Sequence, residues 1–166
     1  MTAILALDLG THCGWALHRN GEALSASTVT SGVQDFSCRR FEGGGMRFLR
    51  AKRWLDEISN LALPHTLELY YEEVRHHSAV DAAHVYGGLL ATLTSWCEEH
   101  KIPYQGIPVG TIKKYITALA DGSAGKGNAN KQQVIDAVRK LGHNPKDDNE
   151  ADAIALLYTA MQGVKL

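Results

Sequence analysis

Residues 1–8 contain Ile4-Leu5-Ala6-Leu7 without a polar break. A continuous apolar run of this length is the pattern of a strand covered on both faces. Gly10 and Gly14 bracket a turn. Residues 15–18 and 23–29 read as two further strands, joined through Arg19-Asn20-Gly21, since Asn-Gly is a strong hairpin signal. After Gly43-Gly44-Gly45, a helix is predicted from about residue 46 to 61. Phe48, Leu49, Leu55 and Ile58 mark its apolar side and Pro64 stops it. Residues 67–74 read as a strand. Ala79, Ala82, Ala83, Tyr86, Leu89, Leu90 and Leu93 then recur at helical spacing, which predicts a long helix to about residue 99. A short strand over 103–107 precedes Pro108, where a helix can begin, and residues 111–120 look helical. A polar, glycine-rich loop over 121–130 leads to a helix over 131–141, with Val134, Val138 and Leu141 on one face and Gly142 as its stop. The last helix is expected over 149–161.

The order is therefore β-β-β-α-β-α-β-α with two further helices at the end. Three sequential strands followed by alternating units predict a mixed sheet with helices on both faces. No internal repeat or linker divides the chain. Its 166 residues suit a single domain, 1–166, with a sizeable core, and the glycine-rich loop reads as an insertion within it.

Composition changes this picture little. Hydrophobic residues make up 45% and charged residues 21%, as in ordinary globular proteins. The apolar runs are too short to span a bilayer. The first strand starts almost at once, which reads as a chain with no signal peptide. Cys13, Cys38 and Cys97 are far apart, form no CxxC pair and are odd in number, so a reduced, cytoplasmic setting without structural zinc is expected. A net charge of −1 argues against a nonspecific nucleic-acid coat protein. It does not exclude a nuclease, because clustered carboxylates lower the net charge and bound cations offset them locally.

The acidic residues are the chemically informative ones. Hydrolysis of a phosphodiester needs a strong nucleophile and stabilisation of the leaving oxygen, which two divalent cations about 4 Å apart can supply. Mg²⁺ takes hard oxygen ligands, so such a site needs three or four acidic or amide side chains from separate elements. Asp8 ends the first buried strand. Glu72 and Glu73 end the fourth. Asp152 lies in the first turns of the final helix, three residues after Asn149, and residues at i and i+3 share a helix face. Other roles exist for these residue types. Asp8 could begin the turn into Gly10. Asp147, Asp148 and Glu150 suit a helix N-terminus, and Asp147-x-x-Glu150 resembles a capping box. Strand parity does not choose between Glu72 and Glu73 when both faces are covered.

These segments resemble a known family. Ile4-Leu-Ala-Leu-Asp8-Leu-Gly10-Thr-His-Cys-Gly14-Trp-Ala is similar to the first strand and hairpin of RuvC-type Holliday junction resolvases. Tyr71-Glu72-Glu73-Val74 before an Ala-rich helix resembles their second motif, and Asp148-Asn149-Glu150-Ala151-Asp152-Ala153-Ile154-Ala155 their closing one. The three stand in the family's order across nearly the whole chain, and the small size resembles phage or prophage members. The resemblance implies a ribonuclease-H-like α/β fold with a five-stranded mixed sheet. It implies Asp8, Glu72 and Asp152 as catalytic metal ligands with Asn149 in the fourth position. It also implies two Mg²⁺ ions, replaceable by Mn²⁺, and a homodimer that binds four-way DNA junctions and nicks two strands. Asn149 stands where the family has an acid or His, and Glu73 where it has Gln. The loop in which some members carry a wedging aromatic reads Arg75-His76-His77.

Basic residues supply candidate DNA contacts. Arg39, Arg40, Arg47, Arg50, Lys52 and Arg53 crowd one stretch with a single acid, Glu42. A solvated helix face would look the same. Lys113 and Lys131 resemble family lysines beside the metals and the scissile phosphate, and Arg75 and His76 can stack on bases. Gly87-Gly88 inside the long helix costs about 1 kcal/mol per glycine against Ala, which implies a close approach, read here as a dimer contact. Three rival readings remain. Leu5-Ala-Leu-Asp8-Leu-Gly10-Thr resembles the phosphate loop of actin-like ATPases, which need a second such domain and loop. A YqgF-like nuclease acting on RNA shares the first motif. A catalytically silent branched-DNA-binding protein would explain Asn149.

Overall fold

The computed structural model describes residues 1–75 and 79–163. Five strands and five α-helices follow one another: β1 (Thr2–Asp8), β2 (His12–Arg19), β3 (Val29–Asp35), α1 (Gly45–Ser59), β4 (Thr66–Glu73), α2 (Val80–His100), β5 (Tyr104–Pro108), α3 (Val109–Asp121), α4 (Lys131–Lys140) and α5 (Asp148–Met161). A 3₁₀ turn, Asn60–Ala62, follows α1. The sheet order is β3-β2-β1-β4-β5. β1, β2 and β3 form an antiparallel meander, and β4 and β5 join parallel to β1. This is the mixed five-stranded sheet with flanking helices that the element order predicts.

The continuous apolar run of β1 is buried on both faces. Ile4 and Ala6 pack with Ala16, Tyr70 and the helices α3, α4 and α5. Ala3, Leu5 and Leu7 pack with Leu17, Leu69 and the helices α1 and α2. The sheet is thus the middle of three layers. β1 and β4 are central and parallel, with Leu7 opposite Tyr71, so their C-terminal ends emerge side by side. β5 ends at the same edge, and so does β3, which pairs Asp35 with His12.

The third strand differs from expectation. It spans Val29–Asp35 rather than residues 23–29, and the connection from β2 is not a tight Asn-Gly hairpin. Gly21 does take a left-handed φ of +114°, but the chain then forms a wider turn. The Thr28 hydroxyl donates to the Ala23 carbonyl at 2.7 Å and accepts from the Ser25 N–H at 3.1 Å. Side-chain hydrogen bonds of this kind offer the backbone an alternative to ladder pairing. They hold residues 23–28 out of the sheet.

Candidate metal centre

Asp8, Glu72 and Asp152 come together at the edge where β1 and β4 end. Each offers a carboxylate oxygen within 4.8 Å of the others. The sheet's two faces explain which glutamate takes part. Side chains alternate along a strand, so Glu72 shares a face with Tyr70, which belongs to the layer of α5. Asp8 likewise follows Ile4 and Ala6 on that face, and α5 brings Asp152 to it. Glu73 follows Tyr71 to the side of α1 and α2 and meets the exposed Arg75 at 3.5 Å.

The close approach of α5 depends on Gly14. A Cβ there would lie 1.9 Å from the Asn149 carbonyl oxygen and 3.1 Å from the Glu150 nitrogen. Without one, the first turn of α5 rests directly on β2. Asp147 and Glu150, which the sequence offers as a helix N-terminal pair, hold this turn. Asp147 caps the helix by accepting from the Glu150 N–H at 2.9 Å. The buried Glu150 carboxylate does not reach back to complete a capping box. It accepts from the Ser31 hydroxyl at 2.7 Å and the Lys146 N–H at 2.8 Å, tying α5 to β3. On the other side, the Tyr86 hydroxyl of α2 donates to the Glu72 carbonyl at 2.8 Å and accepts from the Val74 N–H at 3.1 Å. Tyr86 counts in the sequence as one more apolar helical position, so its polar end gives no signal there.

Burial and mutual repulsion disfavour charge on the three acids. Asp8 is pushed well above the usual carboxylate range, by desolvation first and then by Glu72 and Asp152. Asp152 is raised to about 7, by desolvation and then by Glu72, with Lys113 and Lys131 opposing. Glu72 is also raised by desolvation, opposed by a hydrogen bond from Asp8 and by Lys113. The donor set is all oxygen, half-buried and short of positive charge. Those properties fit a hard divalent cation.

Of the remaining predicted residues, Lys113 and Lys131 lie within electrostatic reach of this cluster. Asn149 is half-buried on the first turn of α5 and lines a groove with Lys131. Lys131, the first residue of α4, forms an ion pair with Asp148 and lies within electrostatic reach of Asp152 and Asp8. Lys113, one turn into α3, acts on both Glu72 and Asp152. Asp148, read from the sequence only as a helix N-terminal acid, also bears on Asp8 and Asp152. Arg75 follows β4 at the same edge. Arg39 and Arg40 occupy the loop from β3 to α1, with the Arg40 guanidinium 5.3 Å from the centre of the exposed Phe41 ring. His76 lies outside the described residues. The basic stretch of α1 is not one uniform cationic face, because Arg50 pairs with Glu42 at 2.5 Å and Lys52 with Glu99 at 3.0 Å. Gly88 packs on Phe48, whose ring would stand 2.4 Å from a Cβ, whereas nothing among the described residues lies within 4 Å of a Cβ at Gly87.

No protein-family model and no curated protein sequence matches the chain. Solved structures do. Thermus thermophilus RuvC in complex with a Holliday junction substrate superposes with a TM-score of 0.73 at 22% identity, over 96% of this chain and 92% of that one. A second T. thermophilus RuvC structure gives 0.65 at 19% identity, over 95% and 92%. The yeast mitochondrial Holliday junction resolvase Ydc2 gives 0.61 at 11% identity, over 96% and 77%. The fold is the ribonuclease-H-like fold of the RuvC resolvases.

Proposed function

We propose that this chain is a divalent-metal-dependent endonuclease that hydrolyses phosphodiesters in branched DNA, four-way junctions above all, with residues 1–166 acting as one domain. The observation that carries this reading is the convergence of Asp8, Glu72 and Asp152 at the sheet edge. They do so in a fold shared with a resolvase solved on its junction substrate. No helix among the described residues is long and apolar enough to cross a membrane.

Asp8, Glu72 and Asp152 would hold the metal, with the Asn149 amide oxygen as a fourth, uncharged donor. Mg²⁺ is the proposed ion and Mn²⁺ its substitute. When bound, a pair of such cations supplies an activated water and charge stabilisation at the leaving oxygen. The protein's own part is to keep the acids close, half-buried and positioned, through Gly14, Glu150 and Tyr86. Lys113 and Lys131 would bind the phosphate entering between them, and Lys131 would exchange Asp148 for it. Arg39, Arg40, Arg75 and His76 are placed by the reading on flanking DNA. A homodimer suits a substrate with two equivalent strands to cut, and the open surface at Gly87 is where the partner helix could approach closely.

Asn149 favours one second reading, a junction-binding protein without catalysis. A labelled four-way junction and a matched linear duplex, incubated with Mg²⁺ or Mn²⁺, separate the two. Junction-selective nicking that disappears in Asp8→Asn is expected. The loss should exceed about 100-fold, since even residues behind the metal ligands cost about 10–100-fold. Tight junction binding with no cutting under either metal would instead favour the silent binder.

A further inference from the structure

A groove of about 700 Å³ opens beside the acid cluster. Gly10 and Thr11, just after Asp8, line it together with Asn149 and Lys131. Asn149, the proposed fourth donor, lines it, so the groove adjoins the proposed metal centre at the first turn of α5. On another side it is lined by Arg47, from the first turn of α1, an element that contributes nothing to the acid cluster.

Arg47 is in an unusual state. Its Nε is shielded from solvent and donates to no acceptor among the described residues, and no carboxylate of those residues stands within 4.0 Å of its guanidinium. Its neighbours on the helix are occupied. Arg50 holds Glu42 and donates to the Ser37 carbonyl at 2.9 Å, and Lys52 holds Glu99. A buried donor without an acceptor is unfavourable, more so on a charged group. A ligand that supplies acceptors removes that penalty. The guanidinium fork matches phosphate oxygens in pairs. Lys131 adds a second cation to the groove, and the carboxylate that lines it, Asp81, is exposed on the first turn of α2. The volume lies in the range of about 300–1,000 Å³ that holds whole small molecules, so it accommodates a sugar and base as well as a phosphate.

We propose that this groove is a nucleotide subsite for the strand being cut, in which Arg47 clamps a backbone phosphate neighbouring the one at the acid cluster. The inference rests on the nuclease reading and adds to it a positively charged anchor on α1.

The test is binding of a fluorescent four-way junction to the full chain, with Ca²⁺ as the ion, across a salt series. Wild type, Arg47→Gln and Arg53→Gln are compared, after unfolding curves show that the variants fold. Arg53 lies on the same helix outside the groove, so both changes remove one charge from α1. Arg47→Gln should weaken binding about tenfold and reduce the slope of log K against log salt by about one, while Arg53→Gln, outside the groove, changes both by much less. Wild-type behaviour in Arg47→Gln would overturn the subsite, as would equal losses in both variants, which describe a diffuse field instead. Displacement of the junction by micromolar inorganic phosphate at constant ionic strength would make the groove a free-phosphate site and also overturn it. Failure of the wild type to bind any DNA would sink the nuclease reading itself, a result distinct from the others.

Discussion

Three carboxyl groups within 4.8 Å of one another repel when all are ionised, so the metal-free fold depends on their protons. Asp152 shows the sign. Its folded value is raised from 3.8 to about 7, so between these two values the folded state binds protons that the unfolded chain releases. Stability from this group is fully present below about pH 3.8 and is lost as pH rises towards 7. Asp8 and Glu72 are raised as well and act in the same direction. In EDTA, the melting temperature should therefore fall between pH 5 and pH 8. The fall should be shallower in Asp152→Asn, and Mg²⁺ or Mn²⁺ should reverse it at pH 8. Shifts of several degrees are expected, at roughly 2–4 °C per kcal/mol for a chain of this size. Identical pH profiles for wild type and Asp152→Asn would refute this account of the cluster.

Among the elements, α5 makes the site, and its seat on β2 is the sensitive contact. A methyl group at position 14 would meet the Asn149 carbonyl at 1.9 Å, which is backbone and cannot rotate away. Overpacking of well-filled sites costs about 1–3 kcal/mol. Gly14→Ala should lose at least this much in urea unfolding and should lose cleavage with it, because Asp152 moves with the helix. Gly87→Ala, with nothing among the described residues within 4 Å of its new Cβ, is the control and should be neutral or slightly stabilising in the monomer, by helix propensity. Near-wild-type stability and activity in Gly14→Ala would show that α5 can shift without disturbing the acids.

For the whole molecule, the proposed function asks how the one acid cluster found among the described residues would meet a junction with two equivalent strands. The proposed symmetric dimer would answer it, as most small oligomers are two-fold. Light scattering at micromolar concentration should give twice the chain mass of 18.1 kDa. Gly87→Glu should return the protein to the monomer while leaving the unfolding midpoint of each chain nearly unchanged. A wild-type monomer at these concentrations would remove the dimer proposal without touching the metal centre.

Short-range information lies open in the sequence. The unbroken apolar run of β1, the helical spacing from Ala79 to Leu93 and the stop at Gly142 rest on periodicity and backbone preference, which neighbouring residues alone express. The element order, the mixed sheet and the acids Asp8 and Asp152 as candidates were legible on that basis. Glu72 against Glu73 was not, because parity separates the two only once it is known which face carries α5. The start of β3 was misread because a Ser–Thr hydrogen-bond network outcompeted the Asn-Gly turn signal. The contacts of Glu150 and Tyr86 were invisible for a different reason. Their partners Ser31 and the Glu72 carbonyl lie 119 and 14 residues away, and no local pattern encodes a contact across such a gap. The sequence by itself determined which residues could bind a metal. Only the tertiary structure decided which of them meet, because that depends on the strand register and on how close a helix can come over Gly14.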